Sequence, residues 1–195
     1  MAVGTRCFAR FFAAPLMSSA DRYSPHYTID DYRLWEGDWE LWQGTAVAMT
    51  PSPFGRHGGM LMRLGTALTN AIDHAKCSAA VLAEIDWIIS ADTVVRPDIS
   101  VVCGAPPDGH IESAPAIVVE VLSESTRQRD PCQKRALYQE CRVPWYVIAD
   151  PSDSALTILR LVDQREYESV PVTDEVILTI CDACEILVDL RLLRQ

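Results

Sequence analysis

Two acidic residues stand where acids are costly. In "VVRPDISVV", residues 94–102, Asp98 follows a proline and opens a run that is otherwise apolar. In "APAIVVEVLSES", residues 114–125, Glu120 lies between Val119 and Val121 near the end of a run that is apolar at successive positions. Such a run reads as a strand buried on both faces. A buried carboxylate is expensive unless its charge is compensated. Pro97 has no N–H for a ladder, so it marks a strand start or an edge. If the two strands are neighbours, Asp98 and Glu120 meet on one face of a sheet. Two adjacent carboxylates repel, and a hard divalent cation removes that conflict. Magnesium takes oxygen ligands of this kind, one or two carboxylates plus water and substrate phosphate.

The segment after Glu120 brings a cation. Asp130, Lys134 and Tyr138 recur at i, i+4 and i+8, which puts them on one stripe of a helix. Arg127 and Arg129 stand at its start, and Leu137 and Cys141 are placed to face a core. Lys134 is one of only two lysines, with Lys76, beside fifteen arginines. An ammonium next to a carboxylate pair can orient an attacking water or stabilise charge on a phosphoryl oxygen. Glu40, in "WELWQG", is a third acid inside an apolar strand, and His57 sits just before a long helix. Each residue alone has a structural reading. Asp98 can cap a turn, Glu120 can pair with an arginine, and Asp130 with Lys134 can be a surface i,i+4 pair. His57 can cap a helix or sit in the core, and Glu40 can be exposed at an edge. The group taken together points to a metal site.

The elements that must position these residues follow from periodicity. Thr28 can cap a short helix with Asp30 and Asp31 in its first turn. Residues 39–49 read as a hairpin turning at Gln43-Gly44, and residues 57–75 as an amphipathic helix. Strands are expected at 79–83, 86–90, 95–103 and 115–122. A helix is expected at about 129–141 and a strand at 144–150. "ALTILRLV" and "EYESV" form an expected hairpin. The tail from Glu175 is apolar and ambiguous between strand and helix. This order predicts an α/β or α+β mixed sheet flanked by helices.

The bulk numbers bound the alternatives. The chain has 195 residues, 49% of them apolar, which suits one domain with a real core, expected over 26–195. Residues 1–25 look different: the first twenty hold two arginines and no acid. They read as a disordered extension or a mis-assigned start, with Met17 as the true start. No run of eighteen apolar residues exists, so no membrane-spanning helix and no membrane partner are expected. A net charge of −10 excludes a protein whose whole surface grips nucleic acid, but not a local basic groove. Seven cysteines, an odd number, read as reduced buried thiols in a cytoplasmic protein. Cys181 and Cys184 form a lone CxxC. With no second pair at finger spacing, packing is favoured over zinc.

Residues 26 to about 170 resemble the Uma-two family of restriction endonucleases, within the PD-(D/E)XK, restriction-endonuclease-like superfamily. "YTIDDY", "WELWQG", "PSPFGRHG", "VVRPDISVV", "APAIVVEVLSESTRQRD" and "KRALYQECRVPWYVIADP" carry the resemblance in order. It implies a central mixed β-sheet flanked by α-helices. It implies that Asp98 and Glu120 hold Mg²⁺ or Mn²⁺, with Glu40 as an additional acid. The superfamily pattern places its lysine two residues after the second acid, where this chain has Leu122, and the resemblance shifts that role to Lys134. His57 and Tyr138 match further family positions. The activity implied is metal-dependent hydrolysis of DNA phosphodiester bonds by a homodimer, with one active site for each strand. Residues 176–193 could then be interface or core. Two alternatives stay open: an inactive nuclease-fold binding module, and a metal-dependent hydrolase of another phosphate substrate. A cleft lined by Arg56, Arg96, Arg127 and Arg129 would favour a phosphate substrate.

Overall fold

The structure, a computed structural model, describes residues 25–49, 55–123 and 130–194, with side chains from Gln133 onward in its last segment and up to Leu193. The expectations for residues 1–24, and for Arg127 and Arg129, lie outside the described residues, as does the Asp130 side chain.

The chain opens with a short helix, α1 (Ile29–Tyr32). The Asp31 carboxylate accepts from the Thr28 N–H at 2.8 Å and from the Thr28 hydroxyl at 2.9 Å. These bonds hold its pKa below the usual carboxylate value. Next come β1 (Trp39–Trp42) and β2 (Thr45–Ala48), joined at the expected turn. Gln43 and Gly44 both take positive φ, 46° and 79°, as a two-residue hairpin turn of matching twist requires. A Cβ at Gly44 would also run into the His26 ring.

Helix α2 (Gly55–Ala75) buries Met60, Leu64, Ala67, Leu68, Ala71 and Ile72, the stripe predicted from spacing. It ends without glycine. Lys76 takes the left-handed conformation at φ 55°, and the Cys77 N–H reaches back to the Ile72 carbonyl at 3.1 Å. After it run β3 (Ala79–Ala83), β4 (Trp87–Ser90), β5 (Thr93–Val95), β6 (Ile99–Cys103) and β7 (Ile117–Val121). Then come α3 (Asp130–Glu140), β8 (Trp145–Asp150), β9 (Ala155–Val162) and β10 (Glu166–Val170). Helix α3 stops as α2 does, with Arg142 at φ 60° and a 2.9 Å bond from the Val143 N–H to the Tyr138 carbonyl.

The central sheet has the order β10-β9-β8-β7-β6-β3. Only β7 and β8, which flank α3, run parallel; its other pairs are antiparallel. This is the mixed sheet flanked by helices that the sequence predicts. A smaller sheet has the order β2-β1-β5-β4. The single strand expected at 95–103 is therefore two strands in two sheets. Pro97 cannot donate to a ladder, so the chain leaves one sheet at Val95 and joins the other at Ile99.

β7 is buried throughout and alternates between two apolar clusters. Ile117, Val119 and Val121 join the cluster that contains the α2 stripe. Val118 joins the opposite cluster, with Tyr138 of α3. Glu120 shares the parity of Val118, so the pleat points it toward α3. The apolar tail resolves as a hairpin, β11 (Glu175–Ile180) and β12 (Cys184–Asp189), followed by a 3₁₀ turn at Arg191–Arg194. Its period is two: Val176, Leu178, Ile180, Ile186 and Val188 are buried with the α2 stripe. The inner face of the tail is core, and Ile177 and Leu187 face outward.

The cysteines correct the expectation of reduced thiols. Cys77 pairs with Cys184 and Cys103 with Cys181, with Cα atoms 6.0 and 5.5 Å apart. Both separations suit a disulfide. They hold the β11–β12 turn to the end of α2 and the end of β6. Cys141 is the free cysteine among the described residues.

Candidate functional site

The site is built where the β6–β7 pair ends. Ile99 pairs with Val119 in antiparallel register, so the residue before Ile99 and the residue after Val119 come side by side. Those are Asp98 and Glu120, the two acids singled out from sequence. Asp98 Oδ2 accepts from the Val121 N–H at 2.6 Å, which fixes its carboxylate across the strand end. His57, in the first turn of α2, approaches from the other side, with Nε2 3.7 Å from Asp98 Oδ1. That is too long for a firm hydrogen bond. The Asp98 carboxylate nonetheless holds the His57 pKa above its usual value, against the opposing effect of burial.

Glu120 meets α3. Lys134 Nζ lies 3.0 Å from its Oε2, and the Tyr138 hydroxyl donates to its Oε1 at 2.5 Å. Lys134 and Tyr138 are one helical turn apart, so both reach the same strand position. Lys134 is 5% exposed, which excludes the surface-pair reading of this residue. Its ammonium is shared: Glu40 Oε1 lies 3.3 Å away. Glu40, on β1, is held in turn by the Arg96 N–H on Oε1 and the Trp42 indole N–H on Oε2, both at 2.9 Å. Trp42 is a positioning residue that the sequence reading passed over. Its signal is the i,i+2 spacing in "WELW", which puts Glu40 and Trp42 on one strand face.

The electrostatics are lopsided. Burial raises the Glu120 pKa, the Lys134 charge lowers it, and the Asp98 charge raises it again. The Tyr138 bond and the Glu40 charge add smaller opposing effects, and the result is pushed up to about 8. Tyr138, fully buried beside that carboxylate, has its own pKa raised well above the usual phenol value, first by burial. Three carboxyl groups share one ammonium, and the raised pKa means that Glu120 holds its proton at neutral pH without a metal. The acids offer only oxygen, the ligand type of a hard divalent cation, and such a cation would displace that proton.

The structure thus brings together Glu40, Asp98, Glu120, Lys134, His57 and Tyr138. Arg56 is exposed in the first turn of α2. Arg96, expected as a possible phosphate contact, is engaged elsewhere: its Nε lies 2.6 Å from Asp86 and its Nη1 2.8 Å from Asp38. Asp86 also accepts from the Tyr32 hydroxyl at 2.8 Å.

A mixed sheet flanked by helices is the fold that carries these acids and the lysine of the following helix. A solved structure shares it: a "putative nuclease belonging to DUF820" from Anabaena variabilis aligns with a TM-score of 0.63. It is 18% identical over 81% of this chain and 91% of that one. Residues 29–191 match the Uma2 family model, described as "Putative restriction endonuclease", and the chain belongs to that family. No curated protein matches the chain.

Proposed function

We propose that this protein is a divalent-metal-dependent endonuclease that hydrolyses DNA phosphodiester bonds. The observation that carries the reading is the Lys134 ammonium, buried between Glu40 and Glu120 while Asp98 stands at the adjoining strand end. Asp98 and Glu120 would hold Mg²⁺ or Mn²⁺. Bound there, the ion would polarise the phosphate and make its bound water more acidic.

The chain's own residues supply the remainder. Lys134 presents N–H donors where negative charge develops on the phosphoryl oxygens, and it can orient the attacking water. Glu40 keeps that ammonium charged and aimed, and Trp42 keeps Glu40 in place. Tyr138 fixes the rotamer of Glu120, so the carboxylate need not reorganise when substrate arrives. His57 adds a proton-bearing ring next to Asp98. One such site cuts one strand, so a double-strand cut calls for two copies of the chain.

A second reading has an observation of its own. Both oxygens of Glu120 already have partners, in Tyr138 and Lys134. A cluster satisfied in this way could serve an inactive module that binds without cutting. Calorimetric titration of Mg²⁺ and Mn²⁺ into wild type, Asp98→Ala and Glu120→Ala, with plasmid nicking on the same samples, separates the two. The nuclease reading expects metal binding and nicking in wild type and loss of both in each variant. Wild-type protein that binds no metal would overturn it.

A further inference from the structure

The sequence offers CDAC as a lone CxxC, with no second cysteine pair near it in the chain. The fold supplies the second pair from far away. Cys77 follows the end of α2, and Cys103 ends β6. Their partners are 107 and 78 residues further along. All four converge. Cys77 is two residues from Ala79, which pairs with Cys103 across the β3–β6 ladder. Gly104 and Ser78 are joined by a 2.8 Å backbone bond, which closes the same corner. Cys181 and Cys184 belong to one tight turn, closed by a 3.0 Å bond from the Cys184 N–H to the Cys181 carbonyl. Positive φ at Cys181, Asp182 and Ala183 curls that turn back onto the Cys77 and Cys103 corner.

We propose that Cys77, Cys103, Cys181 and Cys184, in their thiolate form, are a tetrahedral zinc site. Four cysteines, two of them in a CxxC turn, make the standard donor set of a closed structural zinc centre. Zn–S bonds of about 2.3 Å place the sulfurs roughly 3.8 Å apart, a spacing open to cysteines whose Cα atoms already suit disulfides. As the side chains stand, with these sulfurs in disulfides, no group of three or more His, Cys, Asp and Glu among the described residues is arranged to hold a metal ion. Reduction changes that. Each disulfide takes two electrons and two protons from a cellular dithiol, which is oxidised to its own disulfide. The four thiols then release up to four protons as one Zn²⁺ binds. Cys103 is exposed and the other three are half-buried, so reductant and metal both have access. In a reducing compartment, zinc would do the fastening that the two disulfides do here. It would pin the β11–β12 hairpin to α2 and β6.

This site is separate from the acids. Asp98 precedes β6 and Cys103 ends it, so a five-residue strand lies between them, about 16 Å of chain. Failure of the nuclease reading would leave the zinc proposal untouched.

The test is an anaerobic Co²⁺ titration of full-length protein reduced with a phosphine, followed by displacement with Zn²⁺. The expected result is one thiolate-bound Co²⁺ per chain, with thiolate-to-cobalt charge transfer and the intense visible bands of tetrahedral cobalt, erased by Zn²⁺. Asp98→Ala/Glu120→Ala keeps these bands. Cys7→Ser/Cys132→Ser/Cys141→Ser also keeps them, and that variant decides the matter even if Cys181→Ser/Cys184→Ser does not fold. If it folds, Cys181→Ser/Cys184→Ser weakens binding at least a hundredfold. Reduced wild type without a thiolate–cobalt band, or a band lost in the Cys7/Cys132/Cys141 variant, overturns the proposal.

Discussion

Asp86 and Glu120 are both buried carboxylates, and their partners divide them. Asp86 is held by the Arg96 guanidinium at 2.6 Å and by Tyr32 at 2.8 Å. The second acid on that arginine, Asp38, is largely in water, its side chain 60% exposed. Burial works against the Arg96 charge, yet its bonds to Asp86 and Asp38 raise its pKa above the ordinary value. Tyr32 is driven up to about 12, first by burial and then by its bond to Asp86. This is a matched ionic knot that ties α1 to β4 and to the crossing from β5 to β6. Glu120 shares one lysine with Glu40 and feels Asp98 besides. The acid kept for structure has an arginine N–H and a tyrosine hydroxyl, and the arginine's second acid lies largely in water. The acids where β6 begins and β7 ends share one ammonium with Glu40, and a bound cation would relieve the repulsion that helps keep a proton on Glu120. The structural reading of a buried acid is thus realised in this protein, at Asp86 and not at Glu120.

The largest test of this contrast is Lys134→Met. It leaves Glu40 buried without its cation and removes the ammonium bonded to Glu120. We expect a loss of about 3–5 kcal/mol near neutral pH, the usual cost of removing one partner from a buried pair. Urea unfolding measures it. A loss below about 1 kcal/mol would mean that the lysine is not holding these charges. Asp86→Asn comes next, at about 1.5–3 kcal/mol for weakened charged hydrogen bonds. Nicking per folded molecule should stay at the wild-type level, and a drop there would erase the distinction between the knot and the site.

The effect that is smallest per unit change is a slope with pH. The Glu120 pKa is raised from 4.5 to about 8 in the folded protein. The native state therefore keeps a proton that the unfolded chain has released. That contribution to stability is complete below about 4.5 and is lost as pH rises toward 8. His57, also raised, acts in the same direction at the upper end of the window. Metal-free protein should lose up to about 1.4 kcal/mol per pH unit across this window. Glu120→Gln should flatten the profile, leaving the His57 share. A slope unchanged in that variant would place the titration elsewhere.

Much of the fold was legible because periodicity is local. The α2 stripe, the Gln43-Gly44 turn and the buried run of β7 each follow from spacing within a few residues. The break at Pro97 was visible, but not that the chain changes sheets there. That outcome depends on β5 finding β1 and β4 while β6 finds β3 and β7. The tail read as ambiguous because its outward face is also apolar at Ile177 and Leu187, which blurs the alternation.

The site shows the same division. Sequence alone determined that an acid lies in a strand buried on both faces, that another acid follows a proline, and that Lys134 and Tyr138 share a helix stripe. Those are statements about residue type and period, fixed by the chain itself. Only the tertiary structure decided that the β6–β7 register sets Asp98 beside Glu120, that Lys134 reaches back to Glu40 on the other sheet, and that Arg96 belongs to Asp86. It also brought Cys77 and Cys103 to the CDAC turn across separations of 107 and 78 residues. The reason is physical. Side-chain period is a property of the local backbone, whereas strand register and distant pairing are set by which apolar faces bury against one another.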